Sequence, residues 1–94
     1  MVRVLIERRI AEGMVESFHQ TLREMRREAI QTPGYISGES LRNARDHHHF
    51  AVLSTWNSVH AWEAWNRSEA RRDVMVRIAP MLAESERITV FEPF

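Results

Sequence analysis

Trp62 and Trp65 stand three residues apart, close enough on a helix to share one face. On a helix that packs against a sheet, such a pair first of all supplies apolar mass. Beside a cavity it also offers a flat wall to an aromatic ligand, and the Trp65 indole N–H is one donor for a substrate oxygen. Tyr35, which follows Pro33-Gly34, brings a hydroxyl that can orient a ligand, although a strand-start aromatic is more often structural. The run His47-His48-His49 is internal. On an extended chain successive side chains alternate sides, so only His47 and His49 can converge. A metal usually takes three protein ligands, so the run is expected to hold none. A single histidine of the run is a candidate general base, because imidazole titrates near neutrality.

Other chemistry is excluded by composition. The chain has no cysteine and no lysine, which removes disulfides, thiolate nucleophiles, Schiff bases and the P-loop lysine. No paired carboxylates, glycine-rich phosphate loop or nucleophile motif is visible. The 13 basic and 13 acidic residues cancel, so the basic excess expected of a nucleic-acid binder is missing. The clusters Arg23, Arg26, Arg27 and Arg67, Arg71, Arg72 are interleaved with acids and read as solvated helix faces. No apolar run approaches a membrane span, and the first residues do not resemble a signal peptide, so a cytoplasmic location is expected.

The elements that must position these residues follow from periodicity. The 94 residues make one domain. Residues 2–10 read as a strand with Val2, Val4 and Ile6 on its core face and Arg3, Leu5 and Glu7 on the other. Gly13 breaks the pattern. A helix over 14–30 follows, with Val15, Phe18, Leu22, Met25 and Ala29 as its apolar stripe. Thr32-Pro33-Gly34 ends it. Residues 35–42 form a second strand, interrupted at Gly38, and 48–56 a third, expected to be central. Asn57 or Ser58 caps a helix carrying Val59, Trp62 and Trp65, and Ser68 caps another over 69–83, bent by Pro80. Residues 87–91 close the chain as a fourth strand. The order β-α-β-β-α-β predicts an α+β, ferredoxin-like fold: a four-stranded antiparallel sheet with its helices on one face. The opposite face would carry Leu5 or Val4, one side of the third strand, and Ile88 or Phe91. Such a patch predicts face-to-face packing of two sheets as a homodimer, a dimeric α+β barrel.

Gly13 before the first helix, Pro33-Gly34-Tyr35, the apolar third strand ending at Trp56, Trp65 nine residues later, Ser68 and the closing Phe91-Glu92 together resemble the antibiotic-biosynthesis-monooxygenase-like domains. The resemblance implies a homodimer with a pocket between sheet and helices in each subunit. It also implies oxidation of a small aromatic or quinone-like molecule by molecular oxygen, without metal or flavin cofactors. Trp65 matches the pocket tryptophan of that family. The haem-degrading relatives place a ligand histidine about ten residues after it, where this chain has Met75, and they use an asparagine near the end of the first strand, which is missing here. The anthrone-oxidising relatives carry an asparagine one turn before the tryptophan, where this chain has Ala61. Trp65, His49 and Arg8 are thus the catalytic candidates: pocket wall, proton acceptor and anion stabiliser. Trp62, Trp65, Tyr35 and Phe50 are the candidates for substrate binding. The alternative reading is a non-catalytic dimeric domain that binds a hydrophobic molecule or a partner; haem degradation ranks below both.

Overall fold

A computed structural model describes residues Met1–Phe94. The elements run β1 (Val2–Arg9), α1 (Val15–Ile30), β2 (Tyr35–Arg42), β3 (His49–Trp56), α2 (Val59–Asn66), α3 (Glu69–Ile78), a 3₁₀ turn (Ala79–Met81) and β4 (Arg87–Phe91). The four strands form one antiparallel sheet in the order β2-β3-β1-β4. This is the expected ferredoxin-like arrangement, with β1 and β3 central and the second helical segment divided into α2 and α3.

Local chemistry explains the boundaries. Ser58 Oγ accepts from the Ala61 amide at 3.0 Å and Ser68 Oγ from the Arg71 amide at 3.1 Å, so each helix start has one of its free amides satisfied. The helix expected to reach residue 83 stops at Ile78, and Ala79–Met81 continues as a 3₁₀ turn. Pro80 lacks the amide that another α-turn requires and its ring crowds the preceding turn, so what was expected as a bend is a termination. Gly34 has φ +90°, and a Cβ there would stand 2.4 Å from Ala61 Cβ. The same glycine accepts from the Asn57 amide at 2.8 Å. A residue without a side chain is therefore what lets the entry to β2 touch α2.

All the helices lie on one face. Val2, Val4 and Ile6 of β1 and Trp56 of β3 meet Phe18, Leu22 and Met25 of α1, Trp62 and Trp65 of α2, and Val74 and Ile78 of α3 in one buried cluster. The alternation of β1 is kept through residue 8, so Arg8 points to the helices and is 3% exposed. Residues directly opposite across antiparallel strands share a face. The pairs Arg3↔Phe91, Leu5↔Thr89 and Leu5↔Leu53 therefore put Leu5, Leu53 and Phe91 on the face without helices, while Val4, paired with Ser54, and Ile88, paired with Ile6, turn inward. Ala51 and Leu41 join that open face. It is less apolar than the sequence suggests, because Glu7, Arg9, Glu39 and Arg87 share it. No helix is long and apolar enough to cross a membrane.

Candidate active site

Between the sheet and the helices lies a narrow, partly open cavity of about 50 Å³. Its aromatic wall is organised around Trp56, which is 1% exposed. Trp65 stacks on Trp56 with ring centroids 6.3 Å apart and planes 21° apart; Trp62 and Tyr35 meet the same ring edge-on at 5.8 and 5.3 Å. Trp56 is fixed in turn by its indole N–H, which donates to Ser54 Oγ at 3.0 Å. Neither Trp62 nor Trp65 gives its indole N–H to a protein acceptor, and the structure leaves no enclosed side-chain nitrogen or oxygen without a partner. Both indole N–H groups therefore reach open space. Tyr35 lies over Gly38, where a Cβ would come within 2.7 Å of its hydroxyl oxygen.

Two guanidiniums, Arg8 and Arg71, line the same cavity, and the carboxylate that joins them, Glu86, lines a polar cleft beside it. Arg8 Nε and Nη2 each lie 3.0 Å from Glu86 Oε1, and Arg71 Nη2 lies 2.8 Å from Glu86 Oε2. Arg71 is 6% exposed. Each arrives by a local rule. Arg8 continues the β1 alternation. Arg71 begins the inward stripe Arg71, Val74, Ile78 of α3. Glu86 precedes β4 on a segment that hydrogen-bonds the end of β1: the Ala83 amide donates to the Arg9 carbonyl and the Ala11 amide to the Met81 carbonyl, each at 2.8 Å. Burial pulls the Arg8 guanidinium below the ordinary arginine value; the Glu86 charge opposes this and the Arg71 charge reinforces it. An arginine so placed stays protonated at neutral pH. A buried ion pair needs such geometry to offset the loss of water around its charges.

The candidates from the sequence divide. Trp65, Trp62, Tyr35 and Arg8 line the cavity together. Phe50 faces the helices but packs on Phe18 at 5.4 Å, away from the cavity lining. His49 is not brought to the cavity at all. It pairs with Arg9 on the open face, one residue out of phase with Arg8. There its Nε2 lies 3.2 Å from Glu7 Oε1 and its Nδ1 3.0 Å from Asn43 Nδ2. Glu7 and Arg9, considered as partners for each other, pair elsewhere: Glu7 with His49 and Arg87, Arg9 with Asp46 and Glu84. Met75 is half-buried against the core. Among the helix arginines, Arg67 and Arg72 are exposed as expected, whereas Arg71 is buried. The solvated-face reading of Arg71 is thereby corrected. Its position three and seven residues before Val74 and Ile78 was the available signal, since a charged residue in an apolar stripe is buried with it. Glu86 carried no local signal, because its partner lies 78 residues away.

Comparison with known proteins agrees with this architecture. A family profile described as antibiotic biosynthesis monooxygenase matches residues 1–77. A conserved protein from Methanosarcina mazei superposes with a TM-score of 0.93 at 14% identity, covering 99% of this chain and 92% of that one. A Nitrosomonas europaea protein provisionally described as an antibiotic biosynthesis monooxygenase gives 0.90 at 16% identity, covering 100% and 99%. A variant of SnoaB, a cofactor-independent oxygenase from Streptomyces nogalater, gives 0.86 at 11% identity, covering 98% and 91%. At these identities the superpositions establish the fold. A comparison with curated proteins found no match.

Proposed function

The chain belongs to the antibiotic biosynthesis monooxygenase family, and from that membership we propose that it is a homodimeric, cofactor-independent monooxygenase acting on a small aromatic or quinone-like molecule. The observation that carries this reading is the cavity itself: aromatic walls, an unengaged indole N–H on Trp65, and two guanidiniums beside it. An electron-rich ring lies against Trp65 and Trp62. Its ionised oxygen is stabilised by the Trp65 N–H and by Arg8, donors aimed at a charge in a water-poor space.

The chemistry balances without a further reductant. For an anthrone-type substrate, a C–H proton leaves to water and the resulting enolate passes one electron to O2. The radical and superoxide combine into a peroxide anion, which takes up a proton; loss of water then leaves a carbonyl. One CH2 and one O2 become one C=O and one H2O, and the substrate supplies every electron. His49 has no part in this reading because it lies on the other face of the sheet. We also assign a second copy of the chain to the open face, where Phe91 is 52% and Leu41 45% exposed; burying them removes apolar surface from water.

Oxygen uptake with 1,8-dihydroxyanthrone is the test. The wild-type protein should exceed the spontaneous rate, and Trp65→Phe, which keeps the flat wall and loses the donor, should lower kcat by about 100- to 1000-fold, the loss expected of one oxyanion donor. Equal rates for wild type and variant would refute the assignment to Trp65. A second reading is favoured by one observation: no histidine lines the cavity. On that reading the domain holds an aromatic ligand without turning it over, and the anthrone would stabilise the protein against heat and be recovered unchanged.

A further inference from the structure

We propose that the cavity selects ligands that are already singly charged anions, with the charge on oxygen, and that Arg71 and Glu86 set this selectivity. The proposal rests on reading the cavity as the ligand site.

The argument is a count of charges and donors. Two guanidiniums, Arg8 and Arg71, share one carboxylate, Glu86, so the buried group keeps one positive charge. Of the other charged residues along the lining, Glu39 turns its side chain to the open face and Arg26 is exposed and donates to the Gly38 carbonyl, so neither offsets that positive charge. Glu86 engages Nε and Nη2 of Arg8 and Nη2 of Arg71; Nη1 of Arg8, and Nε and Nη1 of Arg71, have no protein acceptor. No enclosed side-chain nitrogen is left without a partner. Arg71 is only 6% exposed and lines this cavity and not the outer cleft, so its unpaired nitrogens open onto the cavity, whereas Arg8 lines both. An uncompensated charge with free donors in an apolar space favours an anion over a neutral ligand. A planar carboxylate or a phenolate supplies the matching acceptor, and the aromatic wall supplies the stacking surface.

Calorimetric titration with three probes tests this: 2-naphthoate, the acidic phenol 4-nitrophenol, and the neutral 2-naphthalenemethanol. At least one of the two anions should bind about tenfold or more tightly than the alcohol, the factor expected of a charge-assisted hydrogen bond. The absorbance of bound nitrophenol reports whether it enters ionised, and comparing the two anions separates a carboxylate from a phenolate ligand. Equal affinity for the alcohol and both anions would overturn the proposal. Arg71→Met should bring the preference to within about twofold, Arg71→Lys should keep it, and Glu86→Gln should raise anion affinity. A preference that survives Arg71→Met would also overturn it. The wild-type comparison stands even where a variant fails to fold. Persistent anthrone oxidation with no anion preference would sink this proposal alone; anion preference without oxidation would sink the monooxygenase reading alone.

Discussion

Gly34→Ala tests whether the contact between β2 and α2 holds the tryptophan helix in place. The residue has φ +90° and Gly13 has φ +81°. Placing an L side chain in that region costs about 1–2 kcal/mol at either site. The surroundings differ: a Cβ at Gly13 meets nothing within 4 Å, whereas at Gly34 it meets Ala61 Cβ at 2.4 Å and Asn57 Oδ1 at 3.0 Å. Gly13→Ala should therefore show the conformational cost alone. Gly34→Ala should add about 1–3 kcal/mol of overpacking, because α2 must shift. For a domain of this size each kcal/mol lowers Tm by about 4–8 °C. Thermal unfolding followed by circular dichroism should place Gly34→Ala well below Gly13→Ala. Ala61→Gly, itself costing about 1 kcal/mol in the helix, should recover part of the difference in the double variant. Equal melting temperatures for the two alanine variants, or strict additivity with Ala61→Gly, would refute the reasoning. A shifted α2 should also alter Trp65, so Trp fluorescence should change in Gly34→Ala and not in Gly13→Ala.

Two further predictions concern the open face and the sheet edge. Leu53→Glu, on the face without helices and opposite Leu5, should convert the proposed dimer to a monomer in sedimentation at micromolar concentration; an unchanged mass would refute this role for Leu53. Asp46 has its carboxyl held below the ordinary value, first by the hydrogen bond from Arg9 at 2.6 Å and then by the His48 amide. The folded chain thus binds that proton less readily than the unfolded one. Its stabilising effect is present above the unfolded value, about 3.9, and is lost as pH falls through the lower folded value. Urea unfolding across that range should show the loss in wild type and less of it in Asp46→Asn; identical pH profiles would count against the linkage.

The sequence by itself determined the elements and their faces. Alternation in Val2-Arg3-Val4-Leu5-Ile6 fixed which side of β1 is dry, and the three- and four-residue steps of Phe18, Leu22 and Met25 fixed the inner stripe of α1. Ser58 and Ser68 marked helix starts and Gly34 the end of α1, because caps and special backbone angles are local chemistry; Pro80 signalled a bend where the structure has a termination. The pairing of Trp62 and Trp65 on one helical face was legible for the same reason. Only the tertiary structure decided which polar residues share the cavity. Arg8 and His49 were equal candidates in the chain, yet antiparallel register sends one inward and the other outward. Arg71 looked like its solvated neighbours Arg67 and Arg72 until α3 turned it against the sheet. Glu86 gave no sign, since it acts through partners 78 and 15 residues away. A periodic pattern encodes the face a side chain takes; the charge it meets there depends on how separate elements are laid together, and that information is spread over the whole chain.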